Sequence, residues 1–359
     1  MIRYVIKRLL TLIPIIIGVV IIVFTINFFT KGSPATVMLG AAATPENVAQ
    51  VEAEMGLDRP YFVQLGDYLW NIITKFDLGT SYIWKRPVAE MIGERIGVTI
   101  SLGLLGVAFS LVIGIPVGVF SATKQYSTFD YVATTLAVVL AAIPSFWLAL
   151  MCILLFSVKL GWLPISGLTS WKHWVLPVFA IGAFPIAMIT RMTRSSMLEV
   201  IRQDYIRTAR AKGMPERRVI YGHALKNGII PVTTAVGITA GLAMTGTIIV
   251  ETIFNIPGVG TLMNSAITKY DYILTQGIVL VCALIICGTN LITDIAYAFL
   301  DPRIKAMYVN SMKKRQLAEK LLKEAASRAE QAPSTVDGSG TDVSEPEAID
   351  GAKGGDPDV

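Results

Sequence analysis

Long apolar runs, separated by polar stretches, extend from the first ten residues almost to position 300. A helix needs about 20 predominantly apolar residues to cross a hydrocarbon core about 30 Å thick, and only helices or closed barrels satisfy the backbone there. The pattern therefore predicts an all-α polytopic membrane protein with six transmembrane helices. The six runs are 9–29, 98–120, 131–158, 174–192, 229–254 and 276–300.

Prolines in the third and fourth runs predict kinks there. Pro144 lies in the third run, and Pro177 and Pro185 lie in the fourth. Because proline removes a backbone donor and clashes with the preceding turn, we expect kinks at these positions.

The overall composition agrees with a membrane protein. Hydrophobic residues make up 53% of the 359 residues and charged residues only 16%, whereas a soluble domain carries roughly a quarter charged residues. The three cysteines lie inside apolar runs and the two histidines lie far apart. We therefore expect neither a disulfide framework nor a metal site.

The distribution of positive charge predicts the orientation. The connection 193–228 holds eight Arg or Lys residues against three acidic residues, so the positive-inside rule places it in the cytoplasm. Six spans then place both termini in the cytoplasm. The first run follows basic residues and lacks a cleavage site, so it reads as a retained anchor.

These assignments divide the chain into five parts. They are an N-terminal anchor helix (1–30), an extracytoplasmic segment (31–96), a membrane core (97–305) with a cytoplasmic loop (193–228), a charged cytoplasmic helix (306–330) and an acidic tail (331–359). The tail is rich in Gly, Ser and acidic residues and has no aromatics, so we expect it to be disordered.

The basic connection shows a helix–turn–helix pattern. A helical stretch that ends at Lys212 is interrupted by Gly213 and Pro215 and resumes through 219–225. A short helix pair between two spans could act as a lever, because a partner that grips it would move both spans. The alternative is a basic loop that only fixes the topology.

This stretch resembles the EAA coupling loop of ABC importer permeases, in the version of the dipeptide, oligopeptide and nickel subfamily. That version reads TARAKG, a variable stretch, HALxN and a proline, which correspond here to 208–213, 223–227 and Pro231. Four further motifs of the subfamily occur in order at 113–118, 142–147, 251–260 and 290–303. The resemblance covers about residues 1–305 and implies the type I importer permease fold in a bacterial inner membrane.

In that family the loop docks on an ATP-binding subunit. The resemblance therefore implies an ATPase-coupling contact formed by Thr208, Ala209, Ala211, Gly213, Met214, Glu216 and Arg217. The expected partners are a second homologous permease, two ABC ATPase subunits that bind ATP and Mg, an extracytoplasmic peptide-binding protein and membrane lipid, without nucleic acid. This chain itself is expected to bind no cofactor.

The spans contain further candidate residues. Candidates for the translocation path or a gate are Pro144, Ser145, Gly237, Gly241, Thr245 and Glu251. Small residues in the fifth run could instead serve helix packing, and Glu251 could instead cap a turn. Asn290 and Asp294 share one helix face and are expected to anchor the last helix.

The residues also bear on other functions. The chain has no Gly-Lys dipeptide and hence no phosphate-binding G-x-x-x-x-G-K-[ST] loop, and no catalytic His or Cys arrangement, so an enzyme is disfavoured. Nickel or glutathione import is the alternative within the subfamily. A stand-alone secondary transporter would be expected to show internal repeats or intramembrane charge relays, and a scaffold would leave the loop unexplained.

Overall fold

The computed structural model describes the backbone of residues 2–300, with the side chains of 10–293 and 295 except at 242, 245 and 246. Within this range the chain is helical apart from turns and one isolated bridge between Thr80 and Pro87. The predicted charged helix (306–330) and acidic tail (331–359) lie outside the described residues. The helices are α1 (Ile2–Phe29), α2 (Pro34–Leu39), α3 (Pro45–Glu54), α4 (Tyr61–Trp70), α5 (Val88–Thr123), α6 (Thr128–Ala142), α7 (Ser145–Cys152), α8 (Lys172–Ile201), α9 (Asp204–Ala211), α10 (Glu216–Arg218), α11 (Leu225–Ile253), α12 (Val259–Thr268) and α13 (Tyr272–Leu300).

Several of these helices are suited to cross a membrane. Among the described residues, the stretches Leu10–Phe29, Val88–Thr123, Lys172–Ile201 and Tyr272–Thr293 are long and apolar enough, and the pair α6 and α7 could form a fifth span. Helix α11 coincides with the fifth predicted run. Its 29 residues correspond to about 43 Å at 1.5 Å per residue. The all-α membrane class is confirmed, and the count of six spans stays a prediction.

The third predicted span is broken rather than kinked. Helix α6 ends at Ala142, helix α7 begins at Ser145, and the two directions differ by 105°. Pro144 forms the extended residue before α7, with φ −62° and ψ 137°. A wide π-helical turn, Ile153–Lys159, then continues α7.

Helix α5 begins ten residues before the second apolar run. Its first turns are amphipathic, which hides them from a search for apolar runs. Arg86 pairs with Glu90 at 2.5 Å and with Glu94 at 2.6 Å on the exposed side. On the other side, Val88 and Met91 are buried in a cluster with residues of α12 and α13. Helix α5 therefore begins within the predicted segment 31–96.

Glycines let α5 and α8 pack closely at the centre of the molecule. A Cβ on Gly114 would lie 2.9 Å from the Ile189 side chain, and one on Gly118 would lie 2.7 Å from the Thr190 carbonyl oxygen. A side chain at either position would force the two helices apart. The glycine-rich motif of the second span therefore serves helix packing.

Asp271 fastens the segment before α5 to the start of α13. The Asp271 side chain is fully buried and accepts hydrogen bonds from the Ser81 hydroxyl at 2.5 Å and from the backbone amides of Tyr82 and Ile83 at 3.3 and 3.2 Å. It also accepts from the Leu274 amide at 3.3 Å, which caps α13. One carboxylate thus joins residues about 190 positions apart.

Candidate coupling loop and translocation cleft

The basic connection forms a helix, a glycine turn and a second helical stretch. Helix α9 ends at Ala211, and Gly213 takes a left-handed conformation with φ +75°. The Gly213 amide donates to the Arg210 carbonyl at 2.9 Å, which closes the end of α9. Glycine is the usual residue at such a helix end, because it lacks the Cβ that strains this conformation.

An ion pair clamps the two sides of the turn. The Arg210 guanidinium donates two hydrogen bonds to the Glu216 carboxylate, at 2.7 and 3.1 Å. The hydrogen bonds from Arg210 lower the pKa of Glu216, and the same contact raises the pKa of Arg210. Both side chains remain partly exposed, so the clamp holds the turn while leaving it accessible.

The underside of the loop is apolar and packs against the membrane helices. Ile206 and Val219 are fully buried in one cluster with Val119 of α5 and Met197 of α8. A force on the loop is therefore transmitted directly to α5 and α8. The Asn227 amide also donates to the Tyr205 hydroxyl at 2.9 Å, across the loop.

The predicted coupling residues separate into two groups. The exposed group comprises Thr208, Ala211, Gly213, Glu216 and Arg217. Ala209 is only 8% exposed and Met214 is half-buried, and both belong to the apolar underside. The small side chain of Ala209 fits the packing between loop and spans, and its part in an ATPase contact stays a prediction.

A buried ion pair that the sequence analysis missed links three helices beside this loop. Asp130 of α6 is 2% exposed, and Arg194 of α8 donates to its two oxygens at 2.6 and 2.8 Å. The Ser121 hydroxyl of α5 and the Tyr126 amide donate to the same carboxylate. In the sequence, Arg194 is one of the eight basic residues of 193–228, and Asp130 directly precedes the third apolar run.

The break at Pro144 opens a cleft of about 370 Å³ in the membrane core. Pro144 and Ser145 line it on one side, and Ile181 and Pro185 of α8 with Ala243 of α11 line the other. Two of the predicted path residues therefore lie together in a cavity beside α8, which packs against the coupling loop.

The predicted glycines of α11 lie elsewhere. A Cβ on Gly237 would lie 2.1 Å from the Thr293 side chain of α13, and one on Gly241 would lie 3.5 Å from the Asn290 side-chain oxygen. Gly237 is buried, so the structure places it in packing within the chain, which was the alternative to a path role. Thr245 and Asp294 lie in α11 and α13, but their side chains lie outside the described part.

Glu251 holds the turn between α11 and α12. Its side chain is fully buried, and it accepts a hydrogen bond from the Gly260 amide in the first turn of α12 at 2.6 Å. A Cβ on Gly258 would collide with this carboxylate at 2.2 Å. This hydrogen bond fits the turn-capping alternative. Glu251 does not line the cleft at Pro144, and a gate role stays a prediction.

Comparison with known families decides the assignment. A family model described as "Binding-protein-dependent transport system inner membrane component" matches residues 114–306. A companion model for the N-terminal part of such membrane components matches residues 1–103. The chain belongs to this family. It is accordingly a multi-pass inner-membrane subunit of a transport system.

The chain aligns with almost the full length of related proteins in this family. A dipeptide transport system permease protein of Alkalihalophilus pseudofirmus is 42% identical, with 85% of this chain and 100% of the relative covered. The corresponding permease of Escherichia coli K12 is 38% identical over 85% of this chain and 99% of that protein. A putative peptide transport system permease protein of Brucella abortus is 41% identical, covering 84% and 98%.

The fold is similar to that of a solved ABC transporter. Inward-facing structures of the methionine ABC transporter MetNI superpose with a TM-score of 0.52 at 16% identity, covering 59% of this chain and 97% of the other. At this identity the likeness concerns the fold alone. It confirms the type I importer permease fold for the membrane core.

Proposed function

We propose that this chain is a permease subunit of an ATP-driven ABC importer that moves di- or oligopeptides across a bacterial inner membrane by alternating access. Family membership and relatives that are named as dipeptide permeases support this proposal. The observation that carries it is the exposed turn at Gly213, mounted on an apolar base that packs against α5 and α8.

The proposal includes the partners and the orientation. A second homologous permease completes the path, two ABC ATPase subunits bind ATP and Mg, and an extracytoplasmic binding protein delivers the peptide. The basic loop faces the cytoplasm together with both termini, in accord with the charge distribution. This chain supplies the path and the coupling surface and carries out no hydrolysis.

Coupling follows from the packing. An ATPase that closes on the exposed residues around Gly213 pulls α9, and the buried side chains of Ile206 and Val219 carry that movement to α5 and α8. The Asp130–Arg194 ion pair makes α6 follow α8. The cleft at Pro144 is also lined by Ala243 of α11, so a displacement of α8 and α6 relative to α11 changes access to it.

A large charged side chain at Gly213 is expected to uncouple ATP hydrolysis from transport. No atom lies within 4 Å of a Cβ built on Gly213, so Gly213→Glu meets no neighbour inside the chain and projects into the docking surface. We expect membrane insertion to stay normal while peptide-stimulated ATPase activity and peptide uptake fall at least tenfold, about 1.4 kcal/mol of coupling. The assay is uptake of labelled dipeptide by proteoliposomes of the assembled complex.

Gly213→Asn is the matched control, since asparagine tolerates the left-handed conformation better than other residues. It should keep coupling within about threefold if the bulk and charge at the surface cause the defect. Normal coupling in Gly213→Glu would contradict the docking assignment. Competition of uptake by nickel rather than by unlabelled dipeptides would contradict the proposed substrate class.

A further inference from the structure

A second cavity, of about 410 Å³, lies at the end of the molecule opposite the coupling loop. It is enclosed by the last turns of α1, by α3 and α4, and by the start of α13. No predicted path residue lines it. Its volume lies in the lower part of the range of small-ligand pockets, about 300–1,000 Å³.

Two polar groups in its wall are buried without a partner. Within the described part of the chain, neither the Asn27 amide nitrogen nor the Tyr68 hydroxyl makes a hydrogen bond, although both atoms are buried. Native proteins pair almost all such groups. Burial raises the pKa of Tyr68, so its hydroxyl keeps its proton at neutral pH and can donate a hydrogen bond. The wall therefore offers two donors to a ligand oxygen.

The charged residues of the wall favour a cation. Glu52, Asp67 and Asp77 carry three negative charges against the single positive charge of Arg59, so the net charge is −2. Arg59 is paired with Asp67 at 2.9 Å. The Glu52 carboxylate makes no hydrogen bond or ion pair with any described residue, and the Asp77 carboxylate accepts only from the Gly79 amide, at 2.8 Å.

Aromatic rings complete the site. Phe24 stacks on Tyr68 with ring centroids 6.0 Å apart and on Phe28 at 6.4 Å, and all three residues line the cavity. The faces of such rings attract cations, most strongly where water is excluded. The cavity thus combines uncompensated carboxylates, aromatic rings and free donors.

We propose that this cavity binds a primary ammonium group with a neighbouring oxygen, in the form of the amino-terminal end of a short peptide. The ammonium group lies at Glu52 and Asp77, and the adjoining carbonyl oxygen accepts from Asn27 or Tyr68. The choice of a peptide rests on the proposed function. The headgroup of phosphatidylethanolamine carries the same chemistry and is the other source.

The test is calorimetric titration of the full chain in phosphatidylcholine nanodiscs with dialanine and with N-acetyl-dialanine, which lacks the ammonium group. We expect dialanine to bind and N-acetyl-dialanine to fail. Glu52→Gln should weaken dialanine binding roughly ten- to hundred-fold, the loss typical of a hydrogen bond to a charged group, and Tyr68→Phe should weaken it less. Neither change removes a bond within the described protein, so unfolding temperatures should stay unchanged.

Glu54→Gln is the matched control, because Glu54 lies two positions from Glu52 in α3 and outside the cavity. Absence of dialanine binding, equal binding of the acetylated peptide, or equal affinities of the Glu52→Gln and Glu54→Gln variants would each overturn the site. Binding that is suppressed in nanodiscs containing phosphatidylethanolamine would support the ammonium site and identify the lipid as its resident occupant.

Transport is measured separately in proteoliposomes of the assembled complex. ATP-driven dialanine uptake without any binding in this titration would refute the site and leave the proposed function intact. Binding without ATP-driven uptake by the complex would refute the proposed function and leave the ammonium site in place.

Discussion

At the scale of single residues, the buried carboxylate of Asp130 near the coupling loop needs several hydrogen-bond donors. A buried carboxylate is costly unless its oxygens are paired and hydrogen-bonded. Here two guanidinium bonds from Arg194 and further donors from Ser121 and Tyr126 satisfy it. Because these donors come from α5, α8 and the turn before α6, the residue fixes the relative position of three elements.

Replacement of Asp130 by alanine is expected to lower the stability by on the order of 3 kcal/mol, because it leaves Arg194 partly buried without its partner. The measurement is the thermal unfolding midpoint of the purified chain in detergent. Arg194→Ala should also destabilise, and the double variant should lose less than the sum of the two single variants. Arg191→Ala, an exposed neighbour in the same helix, is the control and should leave the midpoint nearly unchanged. Strict additivity of Asp130→Ala and Arg194→Ala would refute the pairing.

At the scale of elements, the turn after α9 combines a glycine stop with the Arg210–Glu216 clamp. The clamp crosses the turn and spans six positions, so it restrains the loop locally rather than the whole fold. Since both side chains are partly exposed, solvent screens the pair, and its contribution is about 0.5 kcal/mol. Its effect should therefore appear in local opening of the loop.

The clamp should make this opening depend on pH. Because pairing lowers the pKa of Glu216 in the folded loop, the stabilisation is fully present above the ordinary glutamate value of about 4.3. It is lost as the pH falls through the lowered pKa. Hydrogen–deuterium exchange of residues 209–218, corrected for intrinsic rates, should be faster in Glu216→Gln than in the wild type at pH 7, by roughly twofold for 0.5 kcal/mol.

The difference should shrink as the pH falls below about 4. Glu199→Gln removes an equal charge from the exposed surface of α8 and serves as the control, with wild-type exchange in the loop. A difference between Glu216→Gln and the wild type that stays constant over this pH range would show that the side chain acts through something other than its charge.

Helix ends and turns could be predicted from the sequence where one or two residues determine them. Gly213 and Pro215 locate the turn because few other residues end a helix and set the next one in this way. The start of α5 was missed because Glu90 and Glu94 interrupt the apolar run while Val88 and Met91 still pack inward. Pro144 marks the interruption of the third span, but the 105° angle depends on packing of α7 against α8, which no local pattern contains.

Contacts between residues far apart in the chain could not be predicted from the sequence. The pair of Asp130 and Arg194 spans 64 positions, and Ser81 and Asp271 span 190. A single sequence shows the charge of each residue but not its partner. Family motifs located the loop, the broken span and the turn at Glu251, whereas packing decided which of their residues face outward.

At the scale of the whole molecule, the membrane helices join two differently built ends. One end is the basic loop on its apolar underside, and the other is the segment before α5 that Asp271 fastens to α13. A carboxylate that joins distant parts of the chain couples the first half of the molecule to the second at that end. The proposed orientation assigns the two ends to opposite sides of the membrane.

Cysteine labelling tests this orientation. A cysteine at the exposed position Asp58 should react with a membrane-impermeant maleimide in intact spheroplasts, and one at the exposed position Lys212 should react only after permeabilisation. The unsubstituted chain reports any labelling of Cys152, Cys282 and Cys287. Labelling of Lys212→Cys before permeabilisation, with Asp58→Cys protected, would invert the assignment.

The break between α6 and α7 also sets a requirement on the surroundings of the chain. The last carbonyl groups of α6 have no donor within their helix, and hydrocarbon tails cannot supply one. Water or another protein surface must therefore reach Pro144 from the adjoining cleft. A single copy of this chain would be a hydrated defect in the bilayer, and the seal against ion leakage belongs to the assembled importer.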